Sequence, residues 1–246
     1  MDNEKPQSVN ETEALTLLGS SLLKQLEPEI EYVRKLLNEE IKKLLASSEW
    51  KGQHEAETPW LWSLERRNYR LKIAIIHARK GEHKTGADLV FELKDRKVLF
   101  LQSKRVGSDR RLHFDRLQLK KLADLETEIN LGIYPERLPP PWPPYRLLFL
   151  KKAAFYHLIM NEPVQMKVQE RFFHISEIAS VLGSRKSVAQ DEFLHGGIEQ
   201  EKFDEMFWKC KIGGPDLEEE TKRSVFEDYS LITNRMLIWF HVELKT

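Results

Sequence analysis

The 246-residue chain is 41% hydrophobic and 32% charged, with 39 Lys/Arg against 39 Asp/Glu. That balance belongs to a folded globular protein and excludes both a disordered chain and a molecule held to a polyanion by its net charge. A single cysteine, Cys210, excludes an internal disulfide framework and a cysteine-based zinc site, and no apolar run approaches the roughly 20 residues that span a membrane.

The polar start MDNEKPQSVNE lacks the pattern of a secretory leader, so the expected location is cytoplasmic, with no membrane partner. Charge is unevenly spread. Residues 104–121 carry seven Lys/Arg against two Asp, whereas residues 191–228 carry twelve Asp/Glu against five Lys/Arg. The first stretch suits a phosphate backbone and the second does not.

In chain order, residues 11–47 place Leu and Ile at spacings of three and four, which predicts two helices divided at Pro28. Thr58-Pro59 is a cap followed by a first-turn proline and predicts a short helix through Trp60, Leu61 and Leu64. Trp50, Trp60 and Trp62 are assigned to the core rather than to base stacking. Residues 71–78, LKIAIIHA, predict a buried strand. Two further runs, 89–93 and 98–101, flank Lys94-Asp95 as a hairpin, so a three-stranded meander is expected from 71 to 105. Asp88 then starts one strand while Gln102 and Lys104 end the next, and the three polar ends meet at one rim.

Residues 114–125 predict an amphipathic helix with Leu117, Leu119, Leu122 and Leu125 inward and Arg116, Lys120 and Lys121 outward. A proline cluster at 139–144 ends what precedes it, residues 145–150 (YRLLFL) read as a central strand, and 153–160 as a helix. Helices at 174–182 and 201–209 and a closing strand at 237–242 complete the chain. Cys210 beside Trp208 reads as buried and inert. The expected class is α/β, a mixed central sheet flanked by helices. The expected division is 1–50 as an N-terminal helical segment, 51–160 as the core and 161–246 as an extension packed on it, or one single domain overall.

A carboxylate at the start of one strand beside a lysine at the end of the next suits phosphodiester hydrolysis. Mg²⁺ takes oxygen ligands and keeps several waters, so one or two carboxylates and a carbonyl oxygen hold it against a phosphate; Mn²⁺ is the substitute. Asp88 fits the ligand role, Lys104 the orientation of water, and Gln102 a neutral carbonyl ligand or a hydrogen bond to a bound water.

Gly86-Ala87-Asp88, followed after fourteen positions by Gln102-Ser103-Lys104-Arg105, resembles the PD-(D/E)xK nuclease superfamily in the Gln-x-Lys variant of Mrr-type nucleases. Glu82 to Asp88 is also similar to the Glu-x-x-Thr-Gly-Ala-Asp motif of small bacterial nuclease-like proteins. The resemblance spans about residues 55–160. It implies a restriction-endonuclease-like core, Mg²⁺ dependence and cleavage of nucleic acid. It makes Asp88 the metal-binding aspartate, Gln102 the occupant of a position usually held by an acid, and Lys104 the catalytic lysine. A further acid is implied on an early helix, with Glu57 and Glu65 as candidates and Glu55 third, while Glu82 contributes through the motif turn. The departures are Ala87 in the place of a proline and Gln102 in the place of an acid.

The leading expectation is a Mg²⁺-dependent endonuclease acting on DNA, of bacterial defence or restriction type. Arg105, Arg110, Arg111, Arg116, Lys120 and Lys121 would grip the backbone and Gln118 would turn toward substrate. The alternatives are a binding subunit of the same fold that recognises nucleic acid or protein without cutting, and an RNA-cleaving toxin; a homo-oligomer or a partner subunit suits any of them. The plainer readings make Asp88 a turn cap and the basic residues a solvated helix face. The eight histidines show no metal-ligand spacing, with His77, His83 and His113 read as structural, and no P-loop or nucleophile elbow is present.

Overall fold

The computed structural model of the protein describes residues 18–19, 21–24, 39, 60–77, 87–132, 151–162, 167–215 and 236–245. Two strands, β1 (Trp60–Glu65) and β2 (Tyr69–His77), lead to β3 (Leu89–Leu93) and β4 (Lys97–Arg105). A short β5 (Arg111–His113) precedes helix α1 (Arg116–Gly132). Strands β6 (Ala154–Glu162) and β7 (Lys167–His174) are followed by α2 (Ile175–Leu182), β8 (Ser187–Ala189), α3 (Gln200–Trp208) and β9 (Met236–Leu244).

Seven strands form one mixed sheet in the order β1-β2-β9-β3-β4-β6-β7, and β5 pairs with β8 in a separate two-stranded ribbon. Side chains alternate across a strand, and here both sheet faces are covered. Val90, Phe100, Tyr156, Leu158, Phe173 and Trp239 pack with Leu122, Leu125 and Ile129 of α1 and with Ile175, Ile178 and Leu182 of α2. On the opposite face Leu71, Leu89, Phe91, Leu101, Phe155, Phe172 and Phe240 pack with Phe203 and Phe207 of α3 and with Leu18, Leu22 and Leu23 of a short N-terminal helical stretch. The result is an α/β protein with helices on each side of a mixed sheet. No described helix is long and apolar enough to cross a membrane.

Three expectations are corrected. The Thr58-Pro59 signal does not lead into a helix: Trp60–Glu65 is a strand, paired antiparallel with β2. Its six residues are too few to hold a helix without tertiary support, and an extended Trp-Leu-Trp run satisfies its backbone by adding to the sheet edge. Residues 153–160 likewise form β6, not a helix. They are buried on both faces, a setting in which a continuous apolar run is a central strand. The expected meander is interrupted, because β9 lies between β2 and β3, antiparallel to the first and parallel to the second. The helices at 174–182 and 201–209 and the closing strand are present as α2, α3 and β9. The expected strand at 145–150, the division at Pro28 and Trp50 lie outside the described residues.

Strands β7 and β9, from the segment read as a C-terminal extension, belong to the same sheet as β1 to β4. Cys210 is exposed, with φ 56°, rather than buried. It lies in the turn after α3, where Lys97 Nζ is 3.5 Å from its sulfur, also donates to Phe207 O and sits 3.9 Å from the Phe207 ring centroid. A cation at those last helical carbonyls is favourably placed.

Candidate active site

The β3–β4 hairpin forms where the sequence predicts it, with a three-residue turn at 94–96 in place of the expected two-residue break. Leu89 faces Leu101 in antiparallel register, with Asp95 taking the left-handed turn conformation at φ 59°. Asp88 therefore falls one residue before β3, level with Gln102. Its N–H donates to Leu101 O at 2.8 Å and its carbonyl accepts from Ile238 N at 3.0 Å, so both neighbouring strands fix its backbone.

Asp88 and Gln102 are 3% and 2% exposed. Asp88 Oδ2 accepts from Gln102 Nε2 and, at 3.0 Å, from Ser103 N. Gln102 Nε2 also donates to Ser103 O at 3.2 Å, while Gln102 Oε1 is buried with no hydrogen-bond partner among the described residues. Leaving such an oxygen unmet costs about 1–3 kcal/mol, so its natural complement is a donor or a cation. Lys104 is half-buried and, two residues along β4, shares a face with Gln102, each in register with β6 through Leu158 and Tyr156.

Helix α1 covers this face with three of the four expected leucines, Leu122 and Leu125 buried and Leu119 packed against the core, while Leu117 departs from the stripe. Leu117 is 42% exposed, whereas Gln118 is 4% exposed and begins the buried line continued by Leu122, Leu125 and Ile129. Asp115 Oδ1 accepts from Leu117 N and Gln118 N and caps the helix start, while Gln118, four residues before Leu122, shares its face and Leu117, five before, does not. Gln118 Oε1 is a second buried oxygen with no partner among the described residues. Glu126 clamps the same helix to the sheet, accepting from Ala153 N and Ala154 N at 2.6 and 2.7 Å and from His174 Nε2 at 2.8 Å.

The basic residues gather beyond the end of β4, and most have partners. Arg111 donates to the side chain and carbonyl of Ser187 at 2.9 and 3.0 Å, and Arg116 to Gly183 O and Arg185 O at 2.6 and 3.1 Å. Arg111 thus holds β5 against β8 itself, and Arg116 holds α1 against the turn before β8. Arg110 lies 3.5 Å from Asp191 and Lys120 2.7 Å from Asp124, both exposed pairs of the kind that contribute little. Arg105 is exposed at the strand end and Lys121 is half-buried on α1.

Of the candidate second acids, Glu65 is excluded by position. It is in register with Arg70, which faces Glu243 of β9, at the sheet end opposite Asp88, and its carboxylate bonds Arg70 at 2.6 Å and Lys245. These two cations hold its carboxyl below the ordinary range. Glu55, Glu57 and Glu82 lie outside the described residues. Among the described residues no group of three or more His, Cys, Asp or Glu is placed to hold a metal. The described donors are thus one carboxylate and one orphaned amide oxygen. Both are hard oxygen ligands, and they fit Mg²⁺ or Mn²⁺, not zinc.

The residue between Gln102 and Lys104 points to the other side of the sheet, and little in the sequence announces what it meets. Ser103 Oγ lies 3.2 Å from His157 Nδ1, and His157 Nε2 lies 3.0 Å from Glu170 Oε2. The three come from β4, β6 and β7. The one signal is a histidine inside the apolar run AFYHLIM, whose partners are 54 residues before it and 13 after.

Comparison with family models, with curated proteins and with solved structures finds no match for this chain.

Proposed function

We propose that this protein is a Mg²⁺-dependent nuclease that hydrolyses phosphodiester bonds in DNA, with a restriction-endonuclease-like core and a role in bacterial defence. The observation that carries the reading is the buried Asp88–Gln102 pair, whose amide oxygen has no partner among the described residues, with Lys104 beside it on the same face. Asp88 and Gln102 Oε1 would hold the cation, with Glu57 or Glu82 as the further acid. When bound, the ion supplies a coordinated water of lowered pKa and screens the charge of the phosphate. Lys104 orients the attacking water and stabilises charge that develops on the phosphoryl oxygens. Ser103 N–H and the Gln102 amide hold Asp88 in one rotamer, which keeps its carboxylate aimed without a search.

Arg110 and Lys120, exposed in weak surface pairs, are assigned to phosphate contacts, while Arg111 and Arg116 hold protein carbonyls. Such contacts position a duplex and carry no sequence information, so cleavage with little sequence preference is expected. Gln118 turns its buried amide toward the same covered face and would orient a water or a substrate oxygen. A cytoplasmic protein that works as a homo-oligomer or with a partner subunit fits the reading.

One observation favours a non-cutting binding subunit instead: the amide donated to Asp88 Oδ2 occupies a lone pair that a catalytic cation would use. Incubation with plasmid, single-stranded DNA and RNA in Mg²⁺ or EDTA separates the readings. Metal-dependent DNA cleavage abolished in Asp88→Ala and Lys104→Ala supports the nuclease, cleavage confined to RNA supports the toxin, and binding without cleavage supports the subunit.

A further inference from the structure

The Ser103–His157–Glu170 chain is not used by the nuclease reading, which needs only the backbone N–H of Ser103. Ser103 and His157 are register partners on the parallel strands β4 and β6, and His157 is paired with Phe172 on β7. Strand alternation puts all three polar side chains on the face that carries Leu101, Phe155 and Phe172, away from Gln102 and Lys104. His157 is 2% exposed and stacks on the Phe172 ring at 4.9 Å and 21°. Its position and ring plane are thereby fixed. Glu170 is 48% exposed and, by accepting from His157 Nε2–H, leaves the Nδ1 lone pair directed at Ser103. The hydrogen bond with His157 holds the Glu170 carboxyl below its ordinary range, so the acceptor is a carboxylate at neutral pH.

A hydroxyl bonded to an imidazole, which a carboxylate orients in one tautomer, is the arrangement that activates a serine for nucleophilic attack. It sits where β4 and β6 pass from the core to the rim: Leu101 and Phe155 are fully buried, Ser103 half-buried, and Arg105, the next side chain of β4 on that face, exposed. The hydroxyl thus ends the chain at the core boundary, and Arg105 follows two residues along the same strand face.

We propose that Ser103 is a nucleophile, activated by His157 and Glu170, that takes the acyl group of activated carboxylic esters in a second activity separate from the Asp88 site. Ser103 Oγ bonds to the carbonyl carbon as its proton passes to His157 Nδ1. Arg105 offers positive charge to the carbonyl oxygen as it becomes an oxyanion. The ester C–O bond then breaks and the leaving alcohol takes the proton from Nδ1, giving an acylated Ser103. Water attacks this ester, again delivering a proton to Nδ1, and release of the carboxylic acid returns it to Ser103 Oγ. The cycle needs no co-reactant besides water.

The test treats the full chain with a fluorophosphonate probe, in which Ser103 would displace fluoride, and follows p-nitrophenyl acetate hydrolysis in EDTA. One adduct on the peptide containing Ser103 is expected in the intact protein and none in Ser103→Ala. His157→Gln should slow labelling at least tenfold and Glu170→Gln by a smaller factor, the latter at a half-exposed position that tolerates a neutral amide. Labelling and ester hydrolysis are both read in EDTA, where the nuclease reading predicts no activity, which keeps this outcome independent of that reading. No adduct on the native chain, equal labelling of Ser103→Ala, or labelling indifferent to Glu170→Gln in a folded variant would overturn the proposal.

Discussion

At Asp88 and Gln102 two polar side chains share a nearly dry rim, and the balance between them depends on charge. Replacing Gln102 by Glu swaps a donor for a second carboxylate against Asp88 Oδ2. Without metal the two negative charges repel in a desolvated setting, and a loss of about 2 kcal/mol is expected, read in calorimetry as a Tm lower by about 4–8 °C. Millimolar Mg²⁺ should restore the Tm of Gln102→Glu by more than it shifts the native protein, because the added carboxylate is a better ligand than the amide oxygen it replaces. Equal Mg²⁺ shifts in both proteins would place the cation elsewhere. Lys104→Ala should leave the Tm near native and lower cleavage about 10²- to 10³-fold, the effect of removing one stabiliser of developing charge. The placement of Asp88 beside Gln102, with Lys104 further along the strand, was legible in the sequence because all three are local to one hairpin. Ser103–His157–Glu170 was not, since its members become neighbours only through the β4–β6–β7 pairing.

Helix α3 is held both by packing and by a titrating group. Its Phe203 stacks on Phe172 at 4.0 Å and 15° and meets Phe155 edge-on at 5.1 Å. On the same helix Asp204 is buried and accepts from Ser21 Oγ at 2.5 Å and Gln200 Nε2 at 2.7 Å. Burial pushes its carboxyl up from 3.8 to about 6, against the opposing effect of those hydrogen bonds. A raised folded pKa means that the folded chain holds this proton more tightly than the unfolded one. The group's penalty is therefore absent below about pH 4, grows through pH 4–6 and is complete above pH 6, amounting to about 3 kcal/mol. Asp204→Asn should remove that slope from the pH dependence of stability and raise the Tm at pH 7. An unchanged slope would mean that the carboxyl titrates normally.

The missed elements share a cause. The Trp60 and Ala154 runs carry patterns that serve helix or strand equally over six to nine residues, and sheet pairing decided both. In α1 Leu119, Leu122 and Leu125 face the core as their spacing predicts, and Gln118, at the helical spacing from Leu122, takes the place expected of Leu117. The misplaced burial of Cys210 has a similar origin, since the turn after α3 sends its neighbour Phe207 inward and leaves the cysteine outside.

Across the protein as a whole, the last strand holds the two halves of the sheet together. β9 pairs with β2 along nine residues and with β3 along five, and Trp239 Nε1 and His241 Nδ1 both bond the fully buried Glu92 at 2.9 and 2.7 Å. A chain truncated before Met236 leaves β2 and β3 with open edges and Glu92 without those two partners. It should lose its cooperative thermal transition, and a native-like melt of the truncated chain would contradict this placement of β9. No local pattern announces that a C-terminal strand inserts between β2 and β3, so the sequence reads as a meander. The mixed sheet with helices on both sides was legible because amphipathic and apolar periods depend on burial alone.

The basic rim is also a property of the whole surface. Arg110→Ala and Lys120→Ala together should weaken DNA binding uniformly across sequences and reduce the salt dependence by about one unit of slope for each phosphate no longer neutralised.

Whether Asp88 and Lys104 cut DNA is decided by supercoiled plasmid cleavage with the native chain, Asp88→Ala and Lys104→Ala, each in Mg²⁺ and in EDTA. Nicking and linearisation are expected from the native chain in Mg²⁺ alone, with a loss of at least about 100-fold in both folded variants. Cleavage that persists in Asp88→Ala, or that proceeds equally in EDTA, would contradict the assignment of this rim as a metal-dependent nuclease site.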